Sequence, residues 1–374
     1  MSMVEWKKIG DIAKRNKGIP ITAGQMSELN TSNGNVRVFA AGQTLADINE
    51  NDLPENCAHI KPSIIVKSRG YIDFVFYEKP FTHKNEMWSY SFDDREEGKF
   101  LYYYLTTKTE LFRKRAKANS VKLPQLCVSD TDDYLVPYPS HSEQRRIVGI
   151  LDTFTSSIDN LKQQIAQRRK QYEYYRDQLL DLEGNKIIEK RIFADVCDIY
   201  DGTHQTPNYT ESGIKFVSVE NIRDIYASNK YISQDDYDAN FKTKPQKYDV
   251  LMTRIGDVGT CAVIDGDEPI AYYVSLSLLR PNQNIITSNF VKYLLESSIG
   301  QKELRKRTLL TAVPLKINLG DIGKIVLPIP SLSDQQRIVS ILDTFEASIQ
   351  NLEAQLSQRE KQYEYYRNKL LTFE

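Results

Sequence analysis

The sequence lacks any apolar run close to the roughly 20 residues that a membrane-spanning helix needs. Residues 1–11 also lack the apolar core of a signal peptide. The four cysteines and four histidines are scattered, without a Cys-x-x-Cys pair or a spacing typical of zinc ligands. We therefore expect a soluble, cytoplasmic protein with no membrane contact and no metal site, whose cysteines are reduced and buried.

Signatures of nucleotide and cofactor chemistry are missing as well. The sequence contains no Walker A motif, no glycine-rich cofactor loop after a strand and no Asn-Pro-Pro-aromatic or Asp-Pro-Pro-aromatic motif. The formal net charge is −1, which argues against a protein that holds nucleic acid through a general basic surface. We predict no catalytic and no cofactor-binding residue, and any contact with nucleic acid should be local or shared with a partner.

An internal repeat organises the 374 residues. The segment from Pro137 to Glu183 returns as Pro328 to Glu374, at a constant offset of 191 and without a gap. Of the 47 aligned positions, 30 are identical. Identity at this level is the signature of a duplicated structural unit.

Each copy of the repeat reads as one long helix. Ser140-x-x-Glu143 and Ser331-x-x-Asp334 are capping-box patterns that mark a helix start. Apolar residues then alternate at spacings of four and three, which predicts a coiled-coil seam whose partner is the other copy. The sequence thus divides into a domain (1–140), a helix (141–183), a linker (184–189), a second domain (190–331) and a second helix (332–374).

The two stretches before the helices share an outline but not a sequence. A similar element opens each one, at Lys7–Gly18 and at Arg191–Gly202, and a β-rich segment runs into glycine at Ser63–Gly70 and at Asp249–Gly256. Two related domains joined by repeated helices give one chain an approximate two-fold symmetry. Because the domains differ, we expect them to read an asymmetric, two-part ligand, with the helices setting the spacing.

The order domain, helix, domain, helix resembles the specificity subunit of type I restriction-modification systems over the whole chain. The segment Leu123–Asp152 is similar to that family's junction between a recognition domain and a helix, and Asp201–Tyr209, Gly213–Ile222 and Asp249–Gly259 are similar to its second domain. The resemblance implies an α/β (α+β) fold with two similar target-recognition domains separated by two long helices. These helices would form an antiparallel coiled coil with pseudo-two-fold symmetry.

The same resemblance implies the function and the partners. The chain would recognise double-stranded DNA and position two methyltransferase subunits for adenine methylation, and restriction subunits would add ATP-dependent cleavage. S-adenosylmethionine, ATP and magnesium would then belong to these partner subunits and not to this chain. Methyl transfer requires the target adenine to be turned out of the duplex into a partner's pocket.

Polar and basic residues next to the glycines are the candidates for DNA contact, because such side chains suit base edges and phosphates. For the second domain we predict Thr203, His204, Gln205, Thr206, Thr253, Arg254, Lys242 and Lys244. For the first domain we predict Lys67, Ser68 and Arg69 at the matching place. Each of these positions is also consistent with an ordinary solvent-exposed loop or strand edge.

Two features of the helices point to pairing and to partner binding. Arg168 and Arg359 replace apolar residues in the seam, and such polar intruders often fix the register of a coiled coil. For antiparallel helices we predict that Arg168 contacts Glu353. The aromatic cluster near the end of each helix should pack mostly within the seam, whereas Tyr174 and Tyr365 lie beside it and are candidates for a partner interface.

Two other functions remain open at this stage. The chain is also consistent with a non-enzymatic DNA-binding or scaffold protein outside restriction, in which the coiled coil is an assembly arm. A self-sufficient methyltransferase with unrecognisable motifs is the second alternative, against which the missing cofactor loop argues.

Overall fold

The computed structural model describes residues 4–119, 122–182 and 188–373. These residues form two compact units, of which unit 1 comprises residues 1–162 and 355–374 and unit 2 comprises residues 163–354. Each unit contains one domain of strands and short helices together with about half of each long helix.

Unit 1 begins with a domain of short strands and helices. Its strands are β1 (Glu5–Lys8), β2 (Lys14–Lys17), β3 (Val36–Phe39), β4 (Leu45–Ile48), β5 (Ser63–Lys67), β6 (Asp73–Tyr77), β7 (Phe81–His83), β8 (Trp88–Ser91) and β9 (Leu135–Tyr138). Its helices are α1 (Ile9–Ile12), α2 (Ala23–Leu29), α3 (Arg95–Thr107), α4 (Thr109–Asn119) and α5 (Val128–Asp132), and the long helix α6 (His141–Leu180) follows.

The strands of unit 1 form two sheets and a two-stranded ribbon. The larger sheet has the order β2-β8-β5-β6, with all neighbours antiparallel. The smaller sheet has the order β4-β3-β7, in which β3 and β7 run parallel. The ribbon pairs β1 with β9 and so brings the start of the chain to the strand that leads into α6.

The domain of unit 2 contains more strands. They are β10 (Glu189–Ile192), β11 (Cys197–Asp201), β12 (Tyr209–Thr210), β13 (Ile214–Val217), β14 (Tyr231–Ile232), β15 (Val250–Thr253), β16 (Cys261–Val263), β17 (Ile270–Tyr272), β18 (Leu276–Pro281), β19 (Thr308–Leu309), β20 (Lys316–Ile317) and β21 (Val326–Ile329). Its helices are α7 (Gln234–Asn240), α8 (Ser288–Glu296), α9 (Ser298–Arg305) and α10 (Leu319–Ile322), and the second long helix is α11 (Leu332–Leu370).

The two domains share one topology, as the sequence outline predicts. The sheet β11-β18-β15-β16 corresponds to β2-β8-β5-β6, and β14-β13-β17 corresponds to β4-β3-β7 with its parallel pair. The ribbon β10-β21 likewise corresponds to β1-β9. Equivalent strands therefore present equivalent loops, although the loop residues differ.

Both long helices begin where the sequence predicts. The hydroxyl oxygens of Ser140 and Ser331 accept hydrogen bonds from the backbone amides three residues later, at 3.4 and 3.2 Å. Equivalent buried glutamines, Gln144 and Gln335, each donate a hydrogen bond of 2.9 Å back to the carbonyl of a preceding proline. Because a helix start leaves amides without helical partners, these contacts fix where the chain enters each helix.

Each unit pairs one half of α6 with the opposite half of α11 in antiparallel fashion. In unit 1, Phe154 stacks on Tyr366 with ring centroids 5.3 Å apart. In unit 2 the repeat-equivalent pair is Phe345 on Tyr175, at 5.5 Å. The same contact is thus made once in each unit with the two helices exchanged, as the repeat predicts.

The helices also pack against the domains. In unit 1, Ile147, Val148 and Leu151 of α6 and Leu371 after α11 are buried in the core of the domain. In unit 2, Ile338 and Leu342 of α11 and Leu180 of α6 play the same part. The hydroxyls of Tyr103 and Tyr293 hold the equivalent residues Asp152 and Asp343, at 2.5 and 2.6 Å.

Two predictions need correction. The ion pair with Glu353 is made by Arg169, at 2.5 Å, whereas Arg168 lies over the ring of Phe345, 5.9 Å from its centroid. The cysteines are all free, but burial holds only for Cys197 and Cys261. Cys57 is half-buried and Cys127 is exposed, because Cys127 occupies the N-cap of α5 and not a strand.

Candidate nucleic-acid interface

The loop Thr203–Thr206 leaves the end of β11 next to β17. Gly202 is required there, because a Cβ at this position would lie 2.5 Å from the carbonyl oxygen of Tyr273. The backbone of Thr203 donates to the carbonyl of Tyr272 at 3.3 Å and accepts from the amide of Val274 at 3.0 Å. The base of the loop is thus fixed to the sheet, while His204, Gln205 and Thr206 are exposed.

A charged network connects this loop to the second predicted segment. Nη2 of Arg254 donates to Oδ1 of Asp201 at 2.8 Å, and Nε of Arg254 donates to the carbonyl of Val274 at 2.9 Å. The other carboxylate oxygen of Asp201 lies 2.9 Å from Nε2 of His204. Arg254 therefore orients Asp201, and Asp201 orients the exposed imidazole of His204.

Thr253 and Arg254 point into the domain and not toward solvent. Thr253 is fully buried, and its hydroxyl oxygen accepts a hydrogen bond of 2.9 Å from the amide of Thr260, which closes the turn after β15. The Arg254 side chain is 11% exposed. The structure thus brings the two predicted segments together. Thr253 and Arg254, however, make buried contacts beneath the loop and are not exposed on its surface.

Lys242 and Lys244 are exposed in the segment before β15. The ammonium group of Lys244 pairs with the carboxylate of Asp238 and lies 4.8 Å from the ring centroid of Tyr237. The backbone of the segment is fixed by Arg280, whose guanidinium donates to the carbonyl of Lys244 at 3.0 Å. Among the described residues, no hydrogen bond or ion pair joins either lysine to the loop Thr203–Thr206.

In unit 1, only one of the three predicted residues faces solvent. Lys67 is 8% exposed, donates to the carbonyl of Gly42 at 2.5 Å, and has a pKa lowered by burial. Ser68 is fully buried and donates to the carbonyl of Glu86 at 2.6 Å. Arg69 is exposed.

Backbone contacts establish how these positions correspond between the units. The amide of Gly70 donates to the carbonyl of Pro124 at 2.8 Å, and that of Gly256 donates to the carbonyl of Leu315 at 2.7 Å. Both glycines have positive φ, at 74° and 85°. Counting back from them, Ser68 corresponds to Arg254 and Arg69 corresponds to Ile255, so the exposed cation of unit 1 is replaced by an apolar side chain in unit 2.

Asp201 is the residue of the charged network at this loop that sequence reasoning missed. It accepts from Arg254 and contacts His204, yet an aspartate at a strand end before glycine resembles an ordinary turn residue. Its position directly before Gly-Thr-His was the available signal.

The long helices carry a second candidate surface in two copies, which we call the tyrosine patches. The patch of unit 1 consists of Tyr365, Tyr366 and Phe154, and that of unit 2 consists of Tyr174, Tyr175 and Phe345. Tyr365 and Tyr174 are 59% and 61% exposed, and each meets its neighbouring tyrosine edge to face at 5.3 Å.

The predicted seam arginines support these patches. Arg359 lies 5.7 Å from the ring centroid of Phe154 in unit 1, and Arg168 lies 5.9 Å from that of Phe345 in unit 2. The exposed fractions of Tyr366 and Tyr175 are 41% and 47%, so the prediction that these rings pack mostly within the seam is wrong for them. A seam made of only two helices leaves part of each large ring uncovered.

The buried His83 and the half-buried His59 lie next to each other in the domain of unit 1. Burial lowers the pKa of His83 to about 4, and burial also lowers the pKa of His59, whose ring centroid is 5.7 Å from that of His83. His83 Nε2 lies 3.2 Å from the hydroxyl oxygen of Ser89. Burial and these contacts indicate a structural role for His83 as a neutral imidazole.

The described residues contain neither a cluster of metal-ligating side chains nor a membrane-spanning helix. No group of three or more His, Cys, Asp and Glu side chains there is arranged to hold a metal ion. Within the same residues, no helix combines the length and the apolar character that crossing a membrane requires.

Comparison with known proteins gives consistent matches along the chain. The specificity subunit of the Escherichia coli type I restriction enzyme EcoR124I/EcoR124II is 26% identical over 395 residues, covering 99% of this chain and 94% of that subunit. The crystal structure of a type I restriction-modification S subunit from M. genitalium matches with a TM-score of 0.66 at 18% identity, covering 100% of this chain and 97% of that one. A chain from a structural study of complex assembly in the type I system matches with a TM-score of 0.54 at 17% identity, covering 99% and 97%.

The family match covers both halves of the chain. The model for the type I restriction modification DNA specificity domain matches residues 1–168 and again residues 185–360, which correspond to the two domains with most of their helices. The duplicated topology agrees with these matches, and the chain therefore belongs to the family of type I restriction-modification specificity subunits.

Proposed function

We propose that each unit reads one half of a bipartite, asymmetric double-stranded DNA site, and that this chain contains no catalytic group of its own. The single observation that carries the proposal is the duplication of one domain topology with different exposed residues at equivalent positions. Two domains with the same topology but different exposed side chains suit two half-sites that differ in sequence.

The residues proposed for DNA contact are the exposed members of the predicted set. In unit 2 these are His204, Gln205 and Thr206 with Lys242 and Lys244, and in unit 1 the residue is Arg69. Amide and guanidinium groups form bidentate hydrogen bonds to adenine and guanine edges, whereas lysine ammonium groups suit phosphates. Asp201 and Arg254 act as positioning residues that restrain the loop before DNA arrives, which lowers the entropy lost on binding.

The partners follow from the tyrosine patches. A patch present twice, with the same residues and nearly the same ring geometry, suits two copies of one protein. Partly exposed tyrosines are common at the centres of protein interfaces because they combine a large apolar face with a hydroxyl group. We assign the patches to two methyltransferase subunits, which would bind S-adenosylmethionine, and restriction subunits would bring ATP and magnesium.

The DNA proposal is tested by mapping adenine methylation in cells that express this chain with its methyltransferase subunits. Arg69→Ala should relax the half-site read by unit 1, and Gln205→Ala should relax the half-site read by unit 2. Losing one good base contact changes discrimination by about 1–3 kcal/mol, so the altered positions should appear as degenerate bases. The half-site read by the unchanged unit serves as an internal control.

The outcome that contradicts independent readout is equally clear. If Arg69→Ala and Gln205→Ala altered the same half of the motif, or if both left the motif unchanged in active complexes, these residues would not be the readers. Calorimetry with the purified chain tests the absence of catalysis. We expect no binding of S-adenosylmethionine until a methyltransferase subunit is added, and methyl transfer by the chain alone would refute the proposal.

The partner assignment is tested by counting bound subunits in native mass spectrometry. Tyr174→Ala should remove one methyltransferase subunit, Tyr365→Ala the other, and the double variant both. Lys170→Ala with Lys361→Ala is the matched control, because both lysines are exposed and repeat-equivalent on the same helices. Full stoichiometry in the double tyrosine variant would exclude the patches as the docking surface.

A further inference from the structure

The repeated helices reverse the sign of a charge at only two of their 47 aligned positions. Lys162 of the first copy corresponds to Glu353 of the second, and Arg169 corresponds to Glu360. The first helix therefore carries both cations and the second carries both carboxylates. At the other aligned positions the residues are identical, similar or differ without an inversion of charge.

These four residues face one another across the seam. In unit 1, Nζ of Lys162 lies 3.3 Å from Oε1 of Glu360. In unit 2, Nη2 of Arg169 lies 2.5 Å from Oε1 of Glu353. The two pairs are repeat-equivalent, so the two aligned positions at which the charge is reversed contact each other in both units.

Most other seam contacts do not distinguish the two helices. The hydrogen bond of 3.3 Å from Tyr172 to Glu346 is an exception, because the repeat-equivalent residues are Tyr363 and Thr155. Phe154 on Tyr366 and Phe345 on Tyr175 are the same contact with the helices exchanged, and Arg168 and Arg359 are the same residue on the same ring. A pairing of two first helices in this register would preserve all of them. It would, however, place Lys162 against Arg169 twice, and a pairing of two second helices would place Glu353 against Glu360 twice.

We propose that the pairs Lys162–Glu360 and Arg169–Glu353 select pairing of the first helix with the second helix and exclude pairing of like helices between two copies of this chain. In the same way, charged residues that flank the seam of a coiled coil determine which helices pair. This selection rests on attraction in one arrangement and repulsion in the other. It does not depend on the DNA sequence that the domains read.

The expected size of the effect follows from the exposure of the groups. The four side chains are 41–61% exposed, so each pair changes an equilibrium by roughly twofold, and a like-charge pair has a similar unfavourable effect. We call a first helix paired with a second helix a mixed pair, and two first or two second helices a like pair. Two mixed pairs contain four attractive contacts, whereas the two like pairs formed from the same four helices contain four repulsive ones. The ratio of each like pair to the mixed pair should therefore fall about tenfold below its random value of one-half.

The experiment uses the whole chain with a protease site inserted between residues 184 and 187. After cleavage, both halves stay present in equal amounts, and native mass spectrometry separates like and mixed pairs by mass. Isotopically labelled and unlabelled samples of each cleaved protein are mixed and incubated until labelled and unlabelled halves have redistributed. The redistribution ensures that the measured populations reflect an equilibrium.

Two variants distinguish the proposal from other sources of selectivity. R169E/E353K keeps opposite charges at both contacts but makes every like pairing attractive as well, so like pairs should rise toward the random proportion. K162E/R169E/E353K/E360K inverts all four signs and should remain as selective as the natural chain despite carrying twice as many substitutions. Raising the salt concentration to about 1 M should increase like pairs in the natural chain and leave R169E/E353K unchanged, because exposed charges are screened.

The ends of the helices are the other possible source of selectivity. In unit 2, Asp177 accepts a hydrogen bond of 3.0 Å from the amide of Ser298, and in unit 1 Phe373 meets Phe100 at 6.0 Å. The second copy has Asn368 in place of Asp177, and the first has Leu182 in place of Phe373. Exclusively mixed pairs in R169E/E353K would assign selection to these ends, and random proportions in the natural chain would show that no selection exists. Either result overturns the proposal.

Discussion

The substitution Arg254→Met tests whether the buried network supports the recognition loop of unit 2. It removes the guanidinium that donates to Asp201 at 2.8 Å and to the carbonyl of Val274 at 2.9 Å, while keeping most of the apolar volume. Breaking a fully buried ion pair by removing one partner costs about 3–5 kcal/mol. Because the Asp201 side chain is 31% exposed and water can solvate it, we expect a loss of roughly 2 kcal/mol.

A loss of this size should lower the thermal midpoint of unit 2 by about 4–8 °C in calorimetry, since 1 kcal/mol corresponds to about 2–4 °C in a unit of this size. The loop should also lose the restraint that Asp201 exerts on His204. The methylation map of the reconstituted complex should therefore show a weakened half-site for unit 2 and an intact half-site for unit 1. Recognition of only one half should suffer because the network lies within one unit.

A double-mutant cycle with Asp201→Asn supplies the control. If the pair acts as a unit, the double variant should lose less stability than the sum of the two single losses, by about 1 kcal/mol or more. Strictly additive losses would show that Arg254 and Asp201 stabilise the domain independently. Wild-type stability and an unchanged motif in Arg254→Met would refute the supporting role altogether.

Three further outcomes are expected. His83 has a pKa of about 4 when folded and about 6.5 when unfolded, so the unfolded chain takes up a proton first as the pH falls. The free energy of unfolding of unit 1, measured by urea titration, should therefore decrease between pH 6.5 and 4, by at most about 3 kcal/mol. His83→Gln should reduce this pH dependence. Gln335→Leu should destabilise unit 2 by about 2–3 kcal/mol because it removes bonds to Thr287, Ile285 and Pro330. Gln144→Leu loses the bond to Pro139, and the side-chain oxygen of Gln144 has no hydrogen-bond partner among the described residues, so this variant should cost less in the same denaturation assay. Exchanging residues 1–140 for the matching domain of a related chain should change one half of the methylated motif, and a change in both halves would contradict separate readout.

The long helices could be predicted almost completely from the sequence. Their start residues, antiparallel partner and seam follow from capping patterns and apolar spacing, both of which are local signals. The ion pair of Glu353 was assigned to Arg168 and is formed by Arg169. Heptad spacing alone does not decide which of two adjacent arginines reaches across, because both side chains are long and flexible and a small rotation of the helix exchanges their directions.

The candidate site was predicted less well, for a different reason. Ser68 and Arg69 follow β5 directly, and because all five residues of β5 are buried, no alternation of polar and apolar residues marks Arg69 as the first exposed side chain. Which residue first reaches solvent depends on the segments that cover the end of β5, and a contact such as that of the Gly70 amide with the Pro124 carbonyl joins residues distant in sequence. Arg254 looked like a reader of DNA because it precedes a glycine, and only the position of Asp201 on β11 shows why its guanidinium turns inward.

Duplication gives a chain two helices that match each other in most of their contacts, and this creates two requirements that conflict. Two copies of one partner need identical surfaces on both helices, which the tyrosine patches provide through Tyr174 and Tyr365. Correct pairing needs the helices to differ, since identical helices pair without preference. The reversed charges are separate from the patches, because Lys162 and Arg169 contact glutamates while the patch rings stack on phenylalanines. Selectivity can therefore reside in two salt bridges while the rest of the helix surface stays repeated, and substitutions that alter pairing need not alter partner binding.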